Sequence, residues 1–203
     1  MLEQILDIER DAFLWLNGGH TPFLDRFWWF ISSKQGIIIA AIAFFTALYI
    51  RNKQLGRKGV SIRKRVIEGL LFVLAVAIVI TLCDQFASHL CKPLFMRYRP
   101  THHPDFENVV QIVNGYRGGR YGFISSHAAN AFGFAMVTSL FIKQKWYSWT
   151  VFIWATLTAY SRIYLGVHFI SDIIPGILVG IFFGWAVYKI RGVKGMRGQG
   201  MRG

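Results

Sequence analysis

Five apolar segments, most of them close to 20 residues long, constrain the fold of this chain more than any other feature of its sequence. They cover residues 27–50, 66–90, 123–142, 146–164 and 169–190, and the first has a polar interruption around Lys34 and Gln35. A helix of about 20 apolar residues is long enough to cross the hydrocarbon core of a bilayer. The sequence therefore predicts an all-α integral membrane protein with about five transmembrane helices.

The composition agrees with a membrane protein and argues against a nucleic-acid-binding domain. Of the 203 residues 54% are apolar, and the mean hydropathy is +0.39. The formal net charge of +13 could indicate binding to nucleic acid, but such a domain carries its basic residues on a water-facing stripe. Here they lie between the apolar segments, so the expected partner is the bilayer and not a nucleic acid.

Residues 1–23 are predicted to form an amphipathic helix that lies in the membrane interface. Apolar side chains recur there at helical spacing against charged ones, until the sequence "NGGHTP" breaks the pattern. The apolar positions are Leu2, Ile5, Leu6, Phe13 and Leu16. The segment lacks the charged start and the cleavage site of a secretory signal, so we expect it to be retained. With no repeat and no low-complexity tract, residues 1–203 are expected to form a single membrane-embedded domain.

The basic residues predict the orientation of the chain in the membrane. Connections 51–65 and 143–145, together with Lys189 and the C-terminal tail, carry 14 of the 23 basic residues. By the positive-inside rule these parts face the cytoplasm, including the basic tail 191–203. The N-terminus and the long connection 91–122 then lie outside, which for a bacterial inner membrane means the periplasm or the cell exterior.

The two cysteines are expected to be packing residues. Cys83 and Cys91 lie eight residues apart in one predicted helix, which separates their backbones by about 12 Å. A disulfide cannot bridge that distance, and the spacing is not that of a zinc site.

Polar residues at the outer ends of the apolar segments form a candidate active site. The long connection opens with "KPLFMRYRP", the third segment with "YGFISSHAAN", and the fourth and fifth are joined through "YSRIYLGVHFISD". Ionisable residues in apolar segments are energetically costly and tend to mark function. On the predicted topology these residues converge at the outer face: Lys92, Arg99, Ser125, His127, Arg162, His168 and Asp172.

These residue types suit phosphoryl transfer. Guanidinium groups contact a phosphate in bidentate fashion, and lysine adds a point charge. A helix beginning near Ser125 would add free backbone N–H groups and a positive dipole end. Two histidines can supply a nucleophile and an acid, and Asp172, four residues after His168, can orient that imidazole if the segment is helical.

The same motifs resemble those of the type 2 phosphatidic acid phosphatase family. Its first motif, lysine, six residues and Arg-Pro, matches Lys92 to Pro100, and its third matches Ser161 to Asp172 in full. The second motif, Pro-Ser-Gly-His, departs: Ile124 stands for proline and Ser126 for glycine. The serine keeps the backbone N–H and adds a hydroxyl, so phosphate binding is expected to survive.

The resemblance implies a role for each matched residue. His168 would attack phosphorus and form a phosphohistidine, Asp172 would orient it, and His127 would protonate the leaving oxygen and later activate water. The phosphate would be held by Lys92, Arg99, Ser125, Ser126 and Arg162. No metal or other cofactor is expected, because these cations and a helix end already neutralise a phosphate, and no carboxylate cluster suited to Mg²⁺ is present.

Several polar residues remain open between two interpretations. Asp84 is expected to make a structural hydrogen bond, while Arg97 is interpreted either as a contact for an anionic headgroup or as an interfacial residue. His89, His102 and His103 are interpreted as interfacial or loop residues. The sequence "NGYRGGRYG" at 114–122 suits either a mobile flap over the substrate or an ordinary loop.

The sequence predicts a lipid phosphatase, and undecaprenyl diphosphate is the first substrate hypothesis. A lipid A phosphatase is its nearest rival, and phosphatidylglycerol phosphate comes third, since the motifs contact only the phosphate. A lipid phosphotransferase would keep the same chemistry. A vanadate-dependent haloperoxidase shares the motifs but is soluble, and a non-catalytic lipid-binding protein would be expected to have lost His127 or His168.

Overall fold

The computed structural model describes residues 2–197, and in these residues the regular structure is helical. The helices are α1 (Leu2–Asn17), α2 (Pro22–Ser32), α3 (Lys34–Arg57), α4 (Ile62–Asp84), α5 (Lys92–Phe95), α6 (Ser126–Ile142), α7 (Lys145–Tyr164) and α8 (Ile170–Arg197). A π-helical segment, Gln85–Cys91, joins α4 to α5 without a break. The predicted all-α membrane fold is confirmed, while the basic tail 191–203 lies outside the residues whose side chains are described.

Within the part of the chain that the structure describes, three helical stretches are long and apolar enough to cross a membrane by themselves: Lys34–Arg57, Ile62–Phe95 and Ile170–Ile190. The other two predicted spans correspond to α6, with 17 residues, and α7, with 20. These two helices need less apolar surface, since other helices cover much of α6 and one side of α7. Large apolar side chains on α3, α4 and α8 instead point outward, as lipid-facing residues do; examples are Ile42, Leu70 and Leu178.

Several predicted boundaries differ from the structure. The first span does not begin near Phe27, because Ser33 ends α2 in an extended conformation and caps α3, accepting a hydrogen bond from Gln35 N–H. The predicted interfacial helix 1–23 ends at Asn17, and Thr21 caps a separate helix α2. The second span runs on to Phe95, because the π-helical segment keeps the helical hydrogen bonding going past residue 90.

Helix α6 lies at the centre of the bundle and packs most extensively on α8. Glycines at every fourth position of α8 make this close approach possible. A Cβ at Gly176, Gly180 or Gly184 would lie only 2.3–2.8 Å from a backbone oxygen of α6 or of the residue that caps it. Small residues at such spacing let membrane helices pack backbone to backbone. The contact also fixes the position of α6 along the axis of α8. The candidate site lies where the two helices begin.

Helix α1 is docked on the bundle. Its Phe13 is fully buried and packs on the rings of Phe106 and Phe169, with centroids 5.9 and 5.2 Å away. Asn17, also buried, donates from its side-chain amide to the Tyr164 carbonyl and accepts from Gln111 N–H. Helix α1 therefore has one face on the protein, while Ile8 and Trp15 project outward and suit the predicted membrane interface.

The cysteine prediction is confirmed. Both Cys83 and Cys91 are free thiols and both are buried. Cys83 packs against Val79, Ala129 and Val137 at the contact of α4 with α6, which is the packing role that their spacing predicts.

Candidate active site

His168 and Asp172 form a buried pair at the beginning of α8. Both side chains are fully buried, and His168 Nδ1 lies 3.3 Å from Asp172 Oδ2. The sequence left this contact conditional on a helix, yet His168 lies in the turn before α8. The pair still forms because Asp172, in the first turn, reaches back and accepts the backbone N–H of Phe169 at 3.1 Å, as the acidic residue of a capping box does.

The other nitrogen of His168 is available to a ligand in this geometry. With Nδ1–H donated to Asp172, Nε2 keeps its lone pair, and this atom is buried without a protein hydrogen-bond partner. Burial, followed by the charges of Arg99 and Arg162, holds the pKa of His168 well below its ordinary value. The imidazole is therefore neutral at physiological pH, which is the state that a nucleophile requires.

Two buried arginines approach the same place from different elements. Arg99 donates to the carbonyl oxygens of Tyr121 and Val167, at 3.1 and 3.4 Å, so it lies beside the residue that precedes His168. Burial and then the charge of Arg162 lower the pKa of Arg99. Two cations held this close in a buried place indicate a site for an anion.

Arg162, on α7, is 2% exposed and is fixed at both ends of its guanidinium. It donates to Ser32 Oγ and, at 3.2 Å, to Tyr116 Oη. Its Nε is buried and has no protein partner. Like His168 Nε2, this is an orphaned buried polar atom, and such atoms in a native protein call for a ligand or solvent.

The beginning of α6 brings in the second motif. Ser125 is fully buried and caps the helix, accepting from Ala128 N–H, and its own N–H donates to the carbonyl oxygen of Asp172 at 3.0 Å. Ser126 and His127 form the first turn, where backbone N–H groups are free. The His127 side chain is exposed, so at this end of the bundle it lies on the open side of the site.

Lys92 completes the set. Its Nζ donates to Ser88 Oγ at 3.1 Å and to Ser126 Oγ at 3.4 Å, and Ser88 in turn donates to Asp84. Asp84 thus makes the structural hydrogen bond that the sequence predicts, through Ser88. The π-helical segment sets the spacing between Asp84, Ser88 and Lys92. No feature of the sequence predicted this segment, although such segments are frequent at functional sites.

Backbone hydrogen bonds hold the glycine-rich stretch 114–122 against the site, which argues against a mobile flap. Gly122 N–H donates to the Arg97 carbonyl, and Arg99 N–H donates to the Arg120 carbonyl. A Cβ at Gly122 would lie 3.0 Å from Asp172 Oδ2 and 3.5 Å from His168 Nδ1. The chain therefore needs glycine there to pass behind the His168–Asp172 pair.

Arg97 differs most from its sequence interpretation. Neither interpretation included ion pairs inside the protein, yet its guanidinium donates to Asp172 Oδ1 and to Glu9 Oε2, both at 2.8 Å. Glu9, Tyr116 and Ser32 had no signal in the motifs, since each reaches the site from a distant part of the chain. The sequence offered one hint that Glu9 has a role: it is an acidic residue in a helix that otherwise has the pattern of an interfacial helix.

The candidate site residues of the three motifs thus lie at one end of the bundle. Among the side chains that the structure describes, no three His, Cys, Asp or Glu gather as metal ligands would. A cluster of cations, a neutral histidine with a paired carboxylate and a second, exposed histidine together suit the chemistry of a phosphohydrolase.

Family comparisons agree with that class. Residues 68–195 match the model of the PAP2 superfamily, and the chain belongs to this family, which confirms the resemblance seen in its motifs. It is therefore a multi-pass inner-membrane enzyme that hydrolyses phosphate monoesters of lipids.

Two relatives carry a more specific name. The chain is 46% identical to lipid A 4′-phosphatase of Porphyromonas gingivalis over 189 residues, covering 93% of this chain and 75% of that one. It is 36% identical to lipid A 4′-phosphatase of Bacteroides thetaiotaomicron over 191 residues, covering 94% and 80%. The similarity to both extends over nearly the whole chain.

Two crystal structures share the fold. A PAP2-type phosphatidylglycerolphosphate phosphatase from Bacillus subtilis superposes with a TM-score of 0.63 at 19% identity, covering 93% of this chain and 87% of that one. Aquifex aeolicus LpxE superposes with a TM-score of 0.50 at 24% identity, covering 88% and 93%. At these identities the likeness concerns the fold alone.

Proposed function

We propose that this enzyme removes the 4′-phosphate of lipid A. The observation that carries the proposal is the 46% identity to a lipid A 4′-phosphatase across 93% of the chain. This favours the lipid A alternative over undecaprenyl diphosphate, the first substrate hypothesis from the sequence. No such similarity supports phosphatidylglycerol phosphate, because the phosphatase structure of that name is only 19% identical.

The cations and the beginning of α6 are proposed to bind the phosphate. Arg99 and Arg162 offer buried guanidinium donors, and Arg162 Nε has no protein partner. Lys92 adds an ammonium group from the start of α5, and Ser125 and Ser126 present the N-terminus of α6. These groups stabilise the negative charge as it moves in the transition state, which is usually the largest catalytic contribution.

His168 is the proposed nucleophile. Its Nε2 lone pair attacks phosphorus while the bond from phosphorus to the sugar oxygen breaks, and His127 donates a proton to that leaving oxygen. Asp172 accepts the Nδ1–H and stabilises the positive charge that develops on the ring. In the second step His127 takes a proton from water, the water oxygen attacks phosphorus, and the P–N electron pair returns to Nε2 as inorganic phosphate forms.

The reaction is proposed to need no metal ion or other cofactor. Three cationic side chains and a helix N-terminus already supply the charge stabilisation that Mg²⁺ provides in other phosphoryl-transfer enzymes. Hydrolysis should therefore proceed at full rate with EDTA present, and loss of activity on chelation would contradict this part of the proposal.

The active site is proposed to face the periplasm, with the C-terminus in the cytoplasm and the chain acting as one domain. The distribution of basic residues supports this orientation. Loop 58–61 lies between α3 and α4, at the ends remote from Lys92, whereas the stretch 91–122 carries the site residues Lys92 and Arg99. Substrate would then be taken from the outer leaflet.

A substrate panel tests the proposal. The purified enzyme in detergent with EDTA is given lipid A, undecaprenyl diphosphate and phosphatidylglycerol phosphate, and phosphate release is measured with no acceptor present. We expect lipid A to have the highest kcat/KM, and fragment masses of the product should show loss at the 4′ position. Faster hydrolysis of another lipid, or loss at a different position, would overturn the substrate assignment. Failure to release phosphate until a lipid acceptor is added would indicate a phosphotransferase.

A further inference from the structure

Both oxygens of the Asp172 carboxylate are held, and one of them by Arg97, which occupies an unspecified position of the first motif. Oδ2 faces His168 Nδ1 and accepts Phe169 N–H, while Oδ1 accepts Arg97 Nη1 at 2.8 Å. Because the carboxylate is fully buried, these contacts alone set its rotation. A group that holds Arg97 in place therefore also fixes the direction of the Asp172 carboxylate, and this carboxylate orients His168.

Arg97 is fixed in turn by the N-terminal helix. Its Nη2 donates to Glu9 Oε2 at 2.8 Å, and the second oxygen of Glu9 accepts the backbone N–H of Ser171 at 2.9 Å. The Ser171 hydroxyl also accepts from Arg97. Glu9 thus joins Arg97 to the first turn of α8, the same turn that carries Asp172, and its side chain is only 14% exposed.

Apolar packing holds this arrangement in place. The Arg97 guanidinium lies over the ring of Phe169, 4.8 Å from its centroid, and Phe13 of α1 packs on another side of that ring. Charge-assisted hydrogen bonds of this kind are short and directional. Removing one partner leaves a partly buried charge uncompensated, which strongly disturbs the groups that remain.

We propose that Arg97 and Glu9 are positioning residues, and that helix α1 is a working part of the active site. Glu9 holds Arg97, Arg97 holds Asp172, and Asp172 holds the imidazole of His168 with Nε2 toward the phosphate. The inference rests on the proposed role of His168 as nucleophile. It gives α1 a function beyond lying in the membrane interface, since turnover requires this helix to be docked.

Substrate binding is the competing explanation for Arg97. With Glu9, Arg10, Tyr98 and His103, it also lines a cavity of about 330 Å³ between α1 and the chain after α5, which a headgroup could enter. A binding role would appear in KM, whereas a positioning role appears in kcat with KM unchanged. The two explanations therefore separate in steady-state kinetics.

The test is a double-mutant cycle on the full-length enzyme, with lipid A and phosphatidic acid as substrates. Arg97→Gln should lower kcat about 10- to 100-fold, the cost of a misplacement of up to 1 Å, and leave KM within about threefold. Glu9→Gln should lower kcat about 3- to 10-fold. Because Glu9 acts through Arg97, the double variant should be no slower than Arg97→Gln by more than about twofold.

Two variants serve as controls. Asp11→Asn removes a negative charge from an exposed position of the same helix and should leave kcat within about twofold, which excludes a general effect of the charge of α1 on membrane contact. Arg97→Lys keeps the charge but loses the fork that reaches two carboxylates, and should fall between wild type and Arg97→Gln. Size-exclusion profiles and thermal unfolding of each variant report on folding.

The proposal fails if Glu9→Gln leaves kcat unchanged, if the two losses multiply in the double variant, or if Arg97→Gln raises KM alone. Since Glu9→Gln leaves both Arg97 and Asp172 unsubstituted, it decides the matter even if Arg97→Gln does not fold. A failure of the proposed mechanism looks different, because Asp172→Asn would then also retain full turnover. Slow Asp172→Asn with normal Arg97→Gln and Glu9→Gln would contradict the positioning network alone.

Discussion

Gly122 offers a sharp test of the geometry around His168. A Cβ built at this position lies 3.0 Å from Asp172 Oδ2, 3.1 Å from Arg99 Cγ and 3.5 Å from His168 Nδ1. The first two distances are shorter than ordinary van der Waals contact, so Gly122→Ala must push these side chains away by several tenths of an ångström. They belong to the proposed orienting carboxylate and to a phosphate-binding arginine.

The expected loss follows from that displacement. A misplacement of about 1 Å in an active site can cost about 100-fold in rate, so a shift of several tenths should lower kcat about tenfold, or roughly 1.4 kcal/mol of barrier. The loop itself should keep its fold, because no positive φ is required at Gly122. Phosphate release from lipid A in detergent measures kcat for the variant and for wild type.

Gly119→Ala is the matched control. It lies in the same loop, has no heavy atom within 4 Å of its built Cβ, and does not have a positive φ. Its kcat should stay within about twofold of wild type. Equal losses in both variants, or an unchanged kcat in Gly122→Ala, would refute the idea that this glycine makes room for the His168–Asp172 pair.

Three further predictions concern the family departure, the pH dependence and the topology. Ser126→Gly restores the family residue and removes only a 3.4 Å contact with Lys92, so turnover should change less than about tenfold; a loss as large as that of His127→Ala would make the hydroxyl catalytic. Because the charge of Arg99 helps to lower the pKa of His168, Arg99→Gln should raise that pKa and move the acid limb of kcat/KM to higher pH. Substrate ionisation is the same for both enzymes, so an unmoved limb, or one moved to lower pH, would contradict the assignment. In intact cells a membrane-impermeant thiol reagent should label Asn108→Cys and spare Lys58→Cys, both exposed positions; the reverse would invert the orientation and exclude an outer-leaflet substrate.

The three motifs and the spans could be predicted because their signals are local. Apolar length identifies a membrane helix, and the spacing of Lys92 to Arg99 or of Arg162, His168 and Asp172 is fixed within one short stretch. The site residues assigned from these motifs do lie together at one end of the bundle. The chemistry that the motifs imply follows from residue type alone. The reaction class could therefore be predicted from the sequence, whereas the identity of the lipid substrate could not.

The remaining parts of the site depend on contacts between distant segments. Glu9 and Arg97 are 88 residues apart, and no pattern in α1 separates a carboxylate that faces the protein from those that face water. The need for glycine at 122 arises only when the chain passes behind Asp172. By contrast, the four-residue spacing of Gly176, Gly180 and Gly184 is visible in the sequence, and such a spacing predicts close helix packing.

The most direct test of the account is the covalent intermediate. Rapid quenching of the enzyme with lipid A carrying a radiolabelled 4′-phosphate should capture a phosphoenzyme that is labile in acid and stable in alkali, with the label on His168. His127→Ala should prolong its lifetime if that residue activates the water, and His168→Ala should form none and should lose turnover to background. An acid-stable label on a serine, or substantial phosphatase activity in His168→Ala, would contradict the mechanism.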